Sequence, residues 1–268
     1  MTDALIIFIL IGLLQGILEW LPVSSQAFIF IILILLGFNL VEAYLFSLFI
    51  HFGTALAAVK YYWRDYKLVF SNKKLLHFYL IGTIISGGFG FLVFLFYKLF
   101  LQSIEDIVLK SSFIILAFIG FLMLTVGFLA NKIFYVRGEK SLQDLELRDM
   151  ILFGVIQGLA AIPGLTRSGV TISYLLFKKM KQSEAVRLSF SIAPLVIIPA
   201  TLFEILTEQS LLVNFTPLEL IAAEIVAFVS SLALIDIMTK IAKRFEFPKF
   251  LIIFGILLAV PNLILLLL

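Results

Sequence analysis

The apolar runs of this chain come in two lengths, and that alone restricts what it can fold into. Six runs, at about 43–63, 75–97, 112–131, 185–206, 217–239 and 249–268, supply the ~20 helical residues needed to cross a hydrocarbon core about 30 Å thick. Four more, at 4–21, 24–38, 150–162 and 166–178, are shorter and fall into two pairs. Each pair is joined by a proline and a few hydroxyl residues, Pro22-Val23-Ser24-Ser25 in one and Pro163-Gly164-Leu165-Thr166-Arg167-Ser168-Gly169 in the other. A proline pushes the residue before it out of the helical region, so breaks are expected at Leu21–Pro22 and Ile162–Pro163. A short apolar arm, a break and a second short arm describe a re-entrant hairpin that enters and leaves the bilayer on one side.

Composition supports the same class. Hydrophobic residues make up 62% and charged residues 14% of the chain, which excludes a soluble globular domain. The mean hydropathy of +1.16 agrees. The absence of cysteine rules out disulfides, thiolate metal sites and cysteine nucleophiles. Asp3 stands where a secretory signal would carry basic residues, and no small-residue cleavage site follows, so the chain is expected to start at Met1.

The two halves repeat. Gly12-x-x-Gln15-Gly16 returns as Gly154-x-x-Gln157-Gly158, Glu42-Ala43 as Glu184-Ala185 and Ser47 as Ser189, all at an offset of 142 residues. The expected architecture is therefore an all-α polytopic membrane protein forming one membrane domain over 1–268. Repeat 1 spans about 1–131 and repeat 2 about 149–268, each a re-entrant helix hairpin plus three transmembrane helices. Three crossings are an odd number, so the second half enters the membrane inverted, as in many transporters. On this topology seventeen of the twenty Lys and Arg residues fall on one face, leaving Lys98 and Lys110 on the other and Arg167 in the second hairpin. By the positive-inside rule the basic loops are cytoplasmic and both termini lie outside a plasma-membrane protein. The basic residues thus serve topology, and no nucleic-acid partner is expected.

The chemistry gathers at the two loops. Glu19 ends a short arm, where an ionised carboxylate costs at least ~2.5 kcal/mol unless it is compensated. Gln15 lies one turn earlier on the same face. Ser24 and Ser25 stand where an N-cap belongs, beside the free N–H groups of a helix start. In the second loop two glycines admit an oxyanion, hydroxyls donate, and Arg167 offers a planar guanidinium fork, with Thr171 one turn on. That combination suits phosphate, with Ser24, Gly164, Thr166, Ser168 and Thr171 as the candidate binding set. Ser25 is a candidate nucleophile with Glu19 as base; alternatively Glu19 activates water or holds a divalent cation. Of the two histidines, His77 reads as interfacial, whereas His51 lies inside an apolar segment and is a candidate accessory group. Glu204, Glu219 and Glu224 lie near segment ends and carry less weight, and Asp236 is placed to pair with Lys240.

These residues resemble the undecaprenyl-diphosphatase family, the bacitracin-resistance lipid pyrophosphate phosphatases. The likeness runs from QGILEWLPVSS through EAYLFSLFIHFGTALAAVKYYWRDY and RDMILFGVIQGLAAIPGLTRSG to the last segments. Gln15-x-x-x-Glu19 is similar to the family's (E/Q)xxxE motif, and Pro163 to Gly169 to its PGxSRSG motif, with Thr166 replacing the first serine. The resemblance implies a membrane hydrolase that converts a polyprenyl diphosphate to the monophosphate and inorganic phosphate, recycling a carrier lipid for cell-envelope synthesis. Glu19 would be essential, Ser25 a catalytic hydroxyl and Arg167 the phosphate clamp, with Thr166 and Thr171 in support. A divalent cation, Mg2+ or Ca2+, is implied, with Gln15 and Glu19 as its ligands. So is a site reached from the outer face, and a homodimer is compatible with it. Where the family commonly reads Thr-Gly-His after the paired serines, this chain has Gln26-Ala27-Phe28, which leaves His51 as a candidate substitute. The alternative on the same scaffold is a lipid-phosphate transporter or flippase, and a third reading is an ion-coupled carrier of a small anion.

Overall fold

The structure, a computed structural model, describes residues 2–21, 24–108, 112–134, 138–162, 164–207, 215–242 and 247–267. Met1, the loop residues Pro22, Val23 and Pro163, and the basic residues Lys110, Arg137, Lys243 and Arg244 lie outside these. The chain is helical: α1 (Thr2–Leu18), α2 (Ser25–Leu35), α3 (Leu40–Phe49), α4 (His51–Tyr61), α5 (Trp63–Leu68), α6 (Lys73–Val108), α7 (Ser112–Phe134), α8 (Leu147–Gly158), α9 (Arg167–Phe177), α10 (Gln182–Thr207), α11 (Pro217–Ala242) and α12 (Phe247–Leu267). Among the described residues there is no strand, only one isolated bridge between Lys140 and Met180.

Local chemistry accounts for several helix starts. Asn39 accepts from the Glu42 N–H while the Glu42 carboxylate accepts from the Asn39 N–H, a reciprocal box that opens α3. Thr216 and Glu219 repeat the device at α11, with Pro217 at the first helical position. α2 stops at Gly37, whose φ of +92° suits a residue without a Cβ.

Four segments are long and apolar enough to cross a bilayer: Leu40–Tyr61, Lys73–Phe100, Gln182–Thr207 and Pro217–Ile237. They cover four of the six expected crossings. The other two, in α7 and α12, are described over the shorter apolar stretches Ala117–Leu129 and Leu251–Ile264. The run expected at 43–63 divides at Ile50 into α3 and α4. Ile50 has no side chain able to cap the new helix, and Glu224 of α11 accepts from the Gly53 N–H instead, at 2.5 Å. Large apolar side chains point outward along the helices, with Ile84, Phe96, Phe121 and Leu206 all exposed, a surface suited to lipid and not to water.

The repeat is visible in the helices themselves. α9 begins and ends 142 residues after α2, and α10 begins 142 residues after α3, the same offset as the sequence repeat. The packing corresponds too. α1 of the first half lies on α11 of the second, and α8 of the second lies on α6 of the first. Close approach is possible because the contacts are built on glycine. Gly12 and Gly16 face Ala223, Ala227 and Ser230, and Gly154 and Gly158 face Gly82, Ile85, Ser86 and Gly90; a Cβ at any of the four would collide with these neighbours. α4 packs on α10 and α7 on α12, closing the bundle.

Candidate active site

The site forms where the two loops meet. Glu19 follows α1, and the next residue, Trp20, is buried, donates its indole N–H to Ser231 Oγ at 2.7 Å and lies edge-on to Phe190. That anchor fixes the end of the first arm. Ser24 and Thr166 cap α2 and α9 in corresponding ways, accepting from the N–H groups of Ala27 and Gly169. Ser24 Oγ also accepts from the Gly164 N–H at 3.3 Å, which stitches one loop to the other. Gly164 adopts φ +97° and packs on Ile119, where a Cβ would stand only 3.1 Å from Ile119 atoms. Both the backbone and the space therefore call for glycine.

Around this seam four charged or polar groups converge on Glu19, which is buried with 6% of its surface exposed. Arg167 donates from Nη2 to Glu19 Oε1 at 2.5 Å and from Nη1 to the Ser189 carbonyl at 3.0 Å. Ser25 Oγ donates to Glu19 Oε2 at 3.0 Å and lies 3.2 Å from His51 Nε2. His51 Nε2 is itself 3.3 Å from Glu19 Oε2. Gln15 Nε2 donates to the same oxygen at 3.1 Å. A hydroxyl thus sits between a carboxylate and an imidazole, with a guanidinium fixed beside it. This arrangement provides a nucleophile, two acceptors for its proton and a positive charge for an anion.

The cluster opens into a cavity of about 380 Å³. Glu19, Ser24, Ser25, His51, Thr166, Arg167 and Ser168 line its polar end, and Phe91, Phe94, Leu195, Val196, Ile197 and Phe203 line an apolar wall. Of the residues expected in the site, Gln15 and Thr171 are fully buried, and they and Gly164 lie behind the lining. Thr171 Oγ1 donates to the Arg167 carbonyl at 2.7 Å and shares a 2.6 Å hydrogen bond with Ser189 Oγ, so it holds the first turn of α9 from beneath. Phe28 turns away, its ring edge-on to Phe254 of α12. Asp236 pairs with Lys240 at 2.6 Å, as their spacing implies.

The cavity also contains residues outside the expected site: Thr83, Ser86, Gln157 and Thr201, together with Glu204, to which its place near a segment end gives less weight in the sequence. Gln157 had a legible signal as the repeat counterpart of Gln15, and Glu204 as an acid in the 185–206 run; Thr83, Ser86 and Thr201 had none. Among the described residues no three His, Cys, Asp or Glu side chains gather into a self-sufficient metal site. Glu19 is the carboxylate of the cluster, and Gln15 beside it keeps a buried Oε1 without a partner. Since Gln15 lies behind the lining, Glu19 is the donor of the two that reaches the cavity, and it fits a hard cation when a ligand supplies the remaining oxygens.

Comparison with known proteins agrees with this geometry. The family model described as Bacitracin resistance protein BacA matches residues 8–260. A protein named undecaprenyl-diphosphatase from Methanococcoides burtonii is 33% identical over 264 residues, covering 93% of this chain and 95% of that protein. Proteins of the same name from Sulfurisphaera tokodaii and Saccharolobus islandicus are 33% and 37% identical, covering 88% and 75% of this chain and 89% and 72% of their own lengths. With a buried hydroxyl, carboxylate and guanidinium assembled in a helical bundle fit for lipid, and a match over nearly its whole length, the chain belongs to the BacA bacitracin-resistance family.

Proposed function

We propose that the protein is a multi-pass membrane phosphatase that hydrolyses undecaprenyl diphosphate, or a closely similar polyprenyl diphosphate, to the monophosphate and inorganic phosphate. The observation that carries this reading is Ser25 Oγ, held 3.0 Å from Glu19 Oε2 and 3.2 Å from His51 Nε2 in a cavity that also presents a largely apolar surface from α6 and α10. A diphosphate headgroup fits the polar cluster and a prenyl chain the apolar surface. The names of the relatives point to the same substrate. A transporter of lipid phosphate would need the cavity and the arginine, but it would leave this hydroxyl, carboxylate and imidazole without a use.

In the reaction, Arg167 holds the terminal phosphoryl group. Ser25 Oγ attacks the terminal phosphorus, its proton passes to Glu19 or His51, and a Ser–O–P bond forms. The bond from that phosphorus to the bridging oxygen breaks, and its electron pair stays on the departing prenyl monophosphate. That base passes the proton on to the departing monophosphate; water then attacks the phosphoserine, the base takes the proton of the water and returns it to Ser25 Oγ as the Ser–O–P bond breaks, and phosphate leaves. Glu19, oriented by Gln15 behind it, would hold a divalent cation, Mg2+ or Ca2+, together with diphosphate oxygens. That ion would neutralise phosphate charge as the bond to the leaving group lengthens.

The reading extends to topology. Each half contributes a re-entrant hairpin, α1–α2 and α8–α9, and the halves are inverted with respect to one another. The common 142-residue offset of the helix starts and the exchanged packing of α1 on α11 and α8 on α6 support this. The basic loops then face the cytoplasm and the termini the outside. Consistent with a shared face, the segment at Lys140 hydrogen-bonds to Lys179 and Lys181, and Lys178 pairs with Asp149.

The test is release of phosphate from a polyprenyl diphosphate by purified protein with Mg2+ or Ca2+. Wild type is expected to be active, and Ser25→Ala and Glu19→Ala inactive. A folded wild type that releases none, yet moves lipid phosphate across liposomes, would overturn the reading in favour of transport.

A further inference from the structure

We infer that Gln157, with Ser86, forms a second phosphoryl subsite in the cavity, one that binds the inner phosphate of the lipid diphosphate and hence the prenyl monophosphate leaving group. The inference rests on the proposed lipid-diphosphatase reaction and deepens it.

The repeat exposes an unused amide. Gln15 and Gln157 occupy corresponding positions on α1 and α8, one turn before corresponding loops. In the first half the residue one turn on is Glu19, and Gln15 donates to it at 3.1 Å. In the second half the corresponding residue is Ala161, so Gln157 has no carboxylate to hold. It reaches across to α6 instead, where Nε2 meets Ser86 Oγ at 3.0 Å.

That contact uses only half of the amide. Gln157 is 4% exposed, and its Oε1 is buried without a partner on the wall of the cavity. Ser86 Oγ donates its one hydrogen to the Thr83 carbonyl over a long 3.3 Å contact, so the amide can be turned over and keep its bond to Ser86 when that hydrogen swings to Gln157 Oε1. In that orientation the NH2 group is the part left over. Either way one polar group of a buried glutamine has no hydrogen-bond partner in the protein, which is a costly condition unless a ligand satisfies it.

The chemistry of the wall selects the ligand. Arg167 and the hydroxyls at the loop seam supply charge for the terminal phosphate. The inner phosphate must lie beside it, between that seam and the apolar wall, because it carries the prenyl chain. Gln157, Ser86 and Thr83 are the polar lining residues of α6 and α8, and they are uncharged. Neutral donors suit a group that must be held through bond cleavage and then released, since they bind more weakly than an arginine. They also sit where negative charge develops on the bridging oxygen.

Product inhibition separates the two subsites. Inorganic phosphate competes for the outer position and a polyprenyl monophosphate for the inner one. In Gln157→Met, which keeps the volume and removes both polar atoms, inhibition by polyprenyl monophosphate is expected to weaken about tenfold, the equivalent of one lost hydrogen bond. Inhibition by inorganic phosphate is expected to stay within about twofold of wild type. Gln157→Glu retains an acceptor for Ser86 but has no N–H and repels phosphate; above neutral pH it should weaken the lipid product at least as much. If both inhibition constants stay at wild-type values in Gln157→Met, or both weaken in step, the subsite is refuted. Wild-type inhibition by the lipid product in Gln157→Glu refutes it as well, since a purely structural bond to Ser86 would give that result. Wild-type protein that releases no phosphate from polyprenyl diphosphate fails at the earlier step and sinks the functional reading itself.

Discussion

Arg167→Lys tests the site most directly, because it keeps the charge and removes the fork. In the structure the two arms of the guanidinium have separate duties, Nη2 on Glu19 and Nη1 on the Ser189 carbonyl. An ammonium is a point charge on a flexible stem and cannot hold both with the same geometry. The change therefore forfeits one charge-assisted hydrogen bond, worth about 1.5–3 kcal/mol. At about 1.4 kcal/mol per factor of ten, kcat/KM should fall roughly 10- to 150-fold. The assay is phosphate release from a polyprenyl diphosphate in detergent, with thermal unfolding measured on the same samples to separate activity from folding. Arg167→Ala should instead lose stability as well as activity, because removing one partner of a buried pair costs about 3–5 kcal/mol. Adding Glu19→Gln to that variant should restore stability and leave activity absent. Full activity in Arg167→Lys would show that charge alone suffices. Loss of stability in Arg167→Ala that Glu19→Gln does not recover would show that the pair is not what holds the loops.

Other outcomes follow from the same structure. His51→Ala should lower phosphate release at least 100-fold, the usual contribution of a general base, and undiminished release would remove His51 from the reaction. Chelation by EDTA should abolish activity, with Mg2+ or Ca2+ restoring it in wild type but not in Glu19→Ala; activity that survives thorough chelation would dismiss the cation. Gly16→Ala and Gly158→Ala should each destabilise the protein by about 1–3 kcal/mol, since the new methyl meets Ala227 and Ser231 in one case and Gly90 and Phe89 in the other. An unchanged melting temperature would mean that these helices are free to separate. Burial pushes the Asp149 carboxyl up, but the Lys178 ammonium 2.8 Å away and the Glu146 N–H outweigh it and hold the carboxyl below the ordinary aspartate range. A depressed carboxyl stabilises the fold above the unfolded value of ~4 and loses that contribution as pH falls through the folded value. Lys178→Met should therefore lower the melting temperature at pH 7 and converge with wild type below about pH 4. A gap that persists in acid would assign the effect to packing.

Much of the site was legible because membranes punish irregularity. A proline followed by hydroxyls inside an apolar run has few structural uses, and Glu19 and Arg167 stand out where charge is expensive. The repeat then located the helix starts, since Ser24 and Thr166 cap at corresponding positions. What the pattern could not reveal depends on partners distant in sequence. The division at Ile50 leaves no local mark, because the acceptor for the Gly53 N–H comes from Glu224 on α11. Thr171 has the right chemistry and the right spacing to face a phosphate, yet Ser189 draws it underneath α9. Glu204 reads as a segment end in the sequence and lines the cavity in the fold. Each of these outcomes is decided by which helix lies alongside, and apolar periodicity does not encode neighbours.

The seam between the loops also has a bearing on how the protein is made. Glu19 enters the membrane early in synthesis, and its counter-charge, Arg167, is 148 residues behind it. Until the second half arrives, the first carries a carboxylate in a setting where such a group costs at least ~2.5 kcal/mol. Ser24 likewise lacks the Gly164 N–H that it will accept. The half-made chain can bind neither the ligand's charge nor its own. Arrival of the second loop supplies both partners at once, so a product truncated before it is expected to insert poorly and to release no phosphate.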